Sequence, residues 1–268
     1  MDRNEISASI LLDAFIDGIL QSGSDLVIDG SFAHEIGPYV DHRSTNIIGP
    51  FELVAGLFQE GRGRLLDFGC GTGSYKSMIE GFGYQWYGIN HREGMADAVR
   101  ELAAMDPRIT FYDGSRLPYE SECFDVVFSM QVFEHCQDIH ATFAEISRVL
   151  KPGGVLVGSV SYLEQIHDYS AFNFTPYGIK IAAMRSGLSL HKIYPAYDVF
   201  TWMLRRLLVI TSASDLNSLT QTLRTDNRIS DLLVSYGRRI GASDRDVNLL
   251  RLMFSAHFTF HLEKSVVC

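Results

Sequence analysis

The feature that most constrains this chain is the stretch Leu65-Leu66-Asp67-Phe68-Gly69-Cys70-Gly71-Thr72-Gly73-Ser74-Tyr75. Its apolar start reads as a buried strand, which ends in an acid followed by three glycines at alternate positions. Glycine has no Cβ and tolerates positive φ, so a turn of this kind lets the backbone pass close to a bound ligand. A dinucleotide fingerprint, G-x-G-x-x-G, seats a pyrophosphate on a helix N-terminus. Counted from Gly69, the third glycine of that pattern is here Ser74. An acid just before the turn repels a pyrophosphate and suits a ligand that carries an ammonium group. Taken alone, the turn leaves a nucleotide site or a fortuitous Gly-rich turn open.

A regular alternation of strands and helices begins at Arg64, which is the pattern of a parallel sheet covered on both faces. Strands are predicted at Arg64–Phe68, Gln85–Ile89, Ile109–Tyr112, Phe124–Met130, Val155–Ser161, Leu188–Tyr194 and Ala256–Leu262. Helices fall between them at about Ser74–Gly81, Gly94–Ala104, His140–Leu150 and Thr175–Arg185, the last with Thr175 as N-cap and Pro176 at the first helical position. Pro152-Gly153-Gly154 reads as a tight turn into the fifth strand. Upstream, a helix is expected over Ile6–Leu20, a short strand or extended linker over Val27–Phe32, and a second helix from Asn46 to Gln59.

Composition limits the function classes. The chain has 268 residues, 46% hydrophobic and 21% charged, which suits one larger domain or one domain with an insertion. A formal net charge of −9 argues against a general nucleic-acid binder, although a local basic patch stays compatible with it. Cys70, Cys123, Cys136 and Cys268 form no C-x-x-C pair, so neither a zinc site nor a disulfide framework is expected. No His/Asp/Glu cluster has clear ligand spacing, and no metal is expected. The first residues show no signal peptide and no apolar run approaches a membrane span of about 20 residues, so the expected location is cytoplasmic.

At the turn, the chain resembles the class I S-adenosylmethionine-dependent methyltransferases, and four later segments extend the resemblance over about residues 45 to 195 and the last strand. They are Tyr87-Gly88-Ile89-Asn90, Asp113-Gly114-Ser115, Ser129-Met130-Gln131-Val132-Phe133-Glu134-His135 and Arg148-Val149-Leu150-Lys151-Pro152-Gly153-Gly154. The resemblance implies a Rossmann-like α/β fold with seven strands in the order 3-2-1-4-5-7-6, the last antiparallel. It implies S-adenosyl-L-methionine held by Asp67, Gly69, Cys70, Gly71 and Gly73 at the turn, and by Asp113, Gly114 and Ser115 at the adenine end. Met130 and Gln131 would lie along the methionine part. The family's usual acid for the ribose hydroxyls is replaced by Asn90, with His91 and Arg92 beside it. An amide can accept from one hydroxyl and donate to another but lacks a carboxylate's charge-assisted strength.

This reading divides the chain into an N-terminal helical segment, 1–60, a core of 61–198 with 254–268, and a helical cap, 199–253. The first segment would cross the cofactor cleft and bring Tyr39, Asp41, His42 and Arg43 near it. Two candidates for a general base are His135, just beyond the fourth strand, and His167, in the His167-Asp168-Tyr169 loop after the fifth. The expected reaction is methylation of a small molecule or sugar, most readily at oxygen. RNA or protein methylation and a catalytically silent, cofactor-binding scaffold are the competing readings. The apolar helix over 199–210 is expected to be buried under the cap, with a homodimer face, an acceptor pocket or an interfacial helix as the other readings.

Overall fold

The computed structural model describes residues 30–43, 45, 50–57, 63–93, 97–164, 170–210 and 228–266. Among them, seven strands form one sheet: β1 (Arg64–Phe68), β2 (Gln85–His91), β3 (Ile109–Tyr112), β4 (Phe124–Met130), β5 (Leu150–Ser161), β6 (Leu188–Pro195) and β7 (His257–Lys264). Their order is β3-β2-β1-β4-β5-β7-β6, as expected. The first five pair in parallel, and β7 runs antiparallel to both β5 and β6.

Nine helices of the described residues are α1 (Gly30–Ile36), α2 (Pro50–Leu57), α3 (Lys76–Gly81), α4 (Asp97–Ala104), α5 (Ile139–Val149), α6 (Pro176–Arg185), α7 (Val199–Ile210), α8 (Arg228–Ile240) and α9 (Asp244–Met253). The central strands are apolar on both faces because helices cover both. On one face Leu65, Val126, Phe128 and Val157 pack with Trp86 and with Val54, Ile79 and Ala103 from α2, α3 and α4. On the other, Leu66, Phe68, Val127, Leu156 and Phe260 meet Phe143, Ile146, Ile179 and Leu252 from α5, α6 and α9. Side chains cap α5 and α6 at their starts: Asp138 accepts from Ala141 N at 3.0 Å, and Thr175 accepts from Gly178 N at 2.9 Å.

Three expectations are corrected. Gly30–Phe32 opens helix α1, not a strand, because α1 buries Ile36 in the main core. Pro152-Gly153-Gly154 is carried inside β5, where pairing jumps from Phe124↔Leu150 to Val126↔Val155. The surplus residues bulge, with Gly153 at φ +75°, so strand pairing resumes after them without a separate turn. Finally, Val40 bridges Ile193 of β6 and Asp41 N donates to Ile193 O at 3.3 Å. The segment from Tyr39 therefore starts along the far edge of the sheet, four strands from β1, instead of over the glycine turn. Asn248 and Arg251 of α9 hold it there by donating to the carbonyls of Asp41 (2.9 Å) and Thr45 (2.6 Å). The helix expected over Ile6–Leu20 lies outside the described residues.

Candidate cofactor and acceptor site

Ligand sites of open α/β sheets lie beyond the carboxyl ends of the strands. The glycine turn leaves β1 at that end. Gly69, Gly71 and Gly73 all have positive φ, at +79°, +55° and +80°. Gly69 must be glycine for a second reason: a Cβ there would sit 2.3 Å from Val132 Cγ2, so the segment after β4 lies directly on the turn. Gly71 is different, since a Cβ there would meet nothing within 4 Å. Its backbone faces open space, which is where a ligand could approach.

Beneath the turn, Asp67 is 2% exposed and accepts from Trp86 Nε1 at 3.1 Å. Burial pushes its carboxyl up to about 7, with the Trp86 bond opposing. Cys70 is buried beside it, and burial followed by the Asp67 charge raises its thiol to about 12. That excludes a reactive thiolate at neutral pH.

Asn90, at the end of β2, is also buried. Its Oδ1 accepts from Gly71 N at 2.8 Å and its Nδ2 donates to Gly71 O at 2.8 Å. Next in line, His91 is exposed, with Nδ1 within reach of the Glu93 amide (3.1 Å) and carbonyl (3.0 Å). Its ring meets Tyr112 edge-on, and a Cβ on Gly114 would lie 2.8 Å from its Nε2. Asp113 caps this end, where Oδ1 accepts from Ser115 N (3.0 Å) and Ser115 Oγ (2.6 Å). Those bonds hold the Asp113 carboxyl below its ordinary value. The structure thus brings together the turn residues, Asn90, His91, Asp113, Gly114 and Ser115 along the ends of β1, β2 and β3.

Met130 and Gln131 end β4 on the opposite side of the turn. Gln131 has φ +54°, a conformation uncommon for a side-chain-bearing residue and frequent at functional sites. Oriented by its neighbours, its amide donates to Ser161 Oγ and Glu134 Oε1, both at 3.0 Å, and accepts from Ser159 Oγ at 3.2 Å. His135 follows in a short 3-10 turn, Phe133–His135, and is exposed. His167, with Asp168 and Tyr169, lies outside the described residues.

Sequence reasoning missed what stands behind Gln131. Ser161 Oγ donates to Glu164 Oε2 at 2.7 Å, and the same oxygen of Glu164 meets His257 Nε2 at 2.5 Å. Glu164 Oε1 accepts from Trp202 Nε1 of α7 at 2.7 Å, with Arg206 Nε at 3.7 Å. Glu134, Ser161, Glu164 and His257 are all buried. Burial raises the Glu164 carboxyl, but the His257 bond and charge, with Ser161 and Trp202, outweigh it and bring it down to about 2. This polar floor lies at the carboxyl ends of β4 and β5, beside the turn. One signal for it existed: alternation in Ala256–Leu262 puts His257, Thr259 and His261 on one face. Nothing local announces Glu164, whose partner His257 is 93 residues away.

Residues 66–158 match the family described as Methyltransferase domain. The chain is similar to a malonyl-[acyl-carrier protein] O-methyltransferase of Serratia marcescens, 34% identical over 96 residues, covering 36% of this chain and 37% of that protein. It is also similar to a sterol 24-C-methyltransferase of Gibberella zeae, 30% identical and covering 34% of this chain and 26% of that protein. The chain therefore matches well under two thirds of either relative's length. Among solved structures, a putative sarcosine dimethylglycine methyltransferase from Galdieria sulphuraria superimposes with a TM-score of 0.51 at 16% identity, over 96% of this chain and 87% of that one. The [4+2]-cyclase SpnF gives 0.53 at 18% identity, over 96% and 93%. These two likenesses carry the fold alone. No helix of the described residues is long and apolar enough to cross a membrane. The sheet order, the glycine turn and the family match agree: residues 66–158 match the methyltransferase domain, and the chain has the fold of the class I S-adenosylmethionine-dependent methyltransferases.

Proposed function

We propose that the protein transfers a methyl group from S-adenosyl-L-methionine to a small-molecule acceptor, at a hydroxyl oxygen. The observation that carries this reading is the turn at the end of β1. Gly71 presents open backbone, the Val132 segment closes on Gly69, and the buried carboxylate of Asp67 lies beneath. A carboxylate held in the interior by one indole bond is costly unless a positive group compensates it, and the cofactor's ammonium is that kind of group. Asp113, Gly114 and Ser115 fit the adenine end, and Met130 with Gln131 fits the methionine side.

The cofactor supplies an activated methyl group. The protein's share is orientation, which supplies roughly 7–11 kcal/mol in well-aligned systems, exclusion of water, and a place for the acceptor's proton. His135, exposed in the 3-10 turn just after β4, is our candidate proton acceptor. The acceptor lies over the ends of β4 and β5, above the Gln131–Ser161–Glu164 floor. The similar proteins act by name at oxygen in one case and carbon in the other; a histidine proton acceptor favours a hydroxyl, which must lose a proton on methylation.

Calorimetry with S-adenosylmethionine and S-adenosylhomocysteine tests the cofactor assignment. Binding of either in the micromolar range supports it, and absence of binding of both at millimolar concentration overturns it. A screen of hydroxyl-bearing metabolites for methyl transfer then identifies the acceptor.

A further inference from the structure

We propose that Asn90 is a positioning residue for the glycine turn and not the ribose ligand, and that His91 takes over contact with the adenosine. This rests on the cofactor reading above and assigns its two halves to different residues. Both polar atoms of the Asn90 amide bond one residue, Oδ1 receiving the Gly71 N–H and Nδ2 donating to the Gly71 carbonyl, each at 2.8 Å, and the same amide also bonds the Cys70 side chain. The polarity match is reciprocal, so only an amide satisfies both arms; a carboxylate would face the Gly71 carbonyl with a second acceptor. The usual acid at this position could not make this clamp. The clamp fixes the peptide groups of the residue whose backbone opens toward the ligand. Its buried position, 2% exposed, leaves little of it for a ribose.

His91 is the next side chain along β2 and has what Asn90 lacks. It is exposed, Nδ1 is already engaged by Glu93, and Nε2 lies over Gly114 beside the Asp113 turn. Glu93 occupies Nδ1, so Nε2 is the ring atom left for a ligand polar group between β2 and β3; it donates when Nδ1 accepts from the Glu93 amide and accepts when Nδ1 donates to the Glu93 carbonyl.

Two ligands separate the halves. S-adenosylhomocysteine carries both the adenosine and the amino-acid part, whereas 5′-methylthioadenosine carries adenosine alone. Calorimetry is run on the full chain and on Asn90→Asp, Asn90→Ala and His91→Ala, with melting temperatures recorded for each. Asn90→Asp and Asn90→Ala are expected to weaken S-adenosylhomocysteine by about tenfold, the scale of one buried hydrogen bond lost, and 5′-methylthioadenosine by less than about twofold. His91→Ala is expected to weaken both ligands by similar factors.

A ligand-free measurement stands beside this: amide exchange at Gly71 should speed up by about tenfold or more in Asn90→Ala, with the exchange of β4 unchanged. Equal losses for both ligands in the Asn90 variants, tighter binding in Asn90→Asp, or unaltered Gly71 exchange each overturns the assignment. If the unaltered protein binds S-adenosylhomocysteine and any of these contrary results appears, only the division of labour fails. If it binds neither the cofactor nor its demethylated product, the cofactor reading itself has failed.

Discussion

Replacing Asp67 by Asn tests whether the protein keeps a costly buried charge for its ligand. The Asp67 carboxyl is 2% exposed, it accepts from Trp86 Nε1, and burial raises it from an ordinary 3.8 to about 7. An acid whose pKa is higher in the folded state binds its proton more tightly there. Its contribution to stability is therefore fully present below the unfolded value, and it is lost as pH rises through the folded one. The step from 3.8 to about 7, at about 1.36 kcal/mol per pH unit, makes the ionised form cost on the order of 4 kcal/mol at pH 8. The amide of Asp67→Asn would keep the indole bond through its carbonyl oxygen and carry no charge, at a fixed cost for the extra N–H. That fixed cost cancels when the two proteins are compared across pH.

Urea unfolding of both at pH 5, 6, 7 and 8 supplies the measurement. The stability of the unaltered protein relative to Asp67→Asn should fall by up to about 1.4 kcal/mol per unit from pH 5, where only the unfolded state is ionised, and level off above the folded value of about 7. Adding S-adenosylhomocysteine should reverse the order, because the cofactor's ammonium compensates the ionised carboxylate and leaves the amide indifferent. Parallel curves for the two proteins would refute the burial argument. A pH difference without any difference in ligand affinity would refute the link to the ligand.

Three further outcomes are expected. Gly69→Ala should lose about 1–3 kcal/mol in urea unfolding, since the new Cβ lies 2.3 Å from Val132 Cγ2 at φ +79°; Val132→Ala in the same chain should recover part of the loss, and no recovery would mean backbone strain is the whole effect. Glu164→Gln should remove part of the stability that the unaltered protein loses as pH falls from about 4.5 toward 2, because the Glu164 carboxyl is held low, against its burial, by His257; identical acid limbs for the two proteins would remove Glu164 from that account. Once the acceptor is known, His135→Ala should lower kcat by about 10²–10⁴-fold with S-adenosylhomocysteine affinity unchanged, and undiminished turnover would eliminate His135 as the base.

Local pattern carried most of the architecture. Apolar runs bounded by turn residues placed the central strands, because strands buried on both faces must be apolar throughout, and alternation placed the edge strand β6 and its neighbour β7. The Thr175-Pro176 start of α6 and the break at Gly187 follow from capping and backbone freedom that involve neighbours only. Errors fell where packing outweighed local preference. Gly30–Phe32 joined a helix because Ile36 gains burial in the core, and Pro152-Gly153-Gly154 was absorbed into β5 as a bulge.

By itself, then, the sequence determined that a strand ends in a Gly-rich turn after an acid and that the sheet is mainly parallel, and it pointed to the carboxyl edge for the proposed cofactor site. These depend on residue type and spacing within a few positions. What a polar side chain does at that edge was decided only by the tertiary structure. Asn90 and Asp67 each have a partner 19 residues away, in Gly71 and Trp86, and Glu164, just past β5, meets His257 of the neighbouring strand β7. Hydrogen bonds are short and directional, so which atoms meet depends on strand register and side-chain facing. Read from its position, Asn90 is a weakened ribose ligand; placed against Gly71, it holds the turn itself.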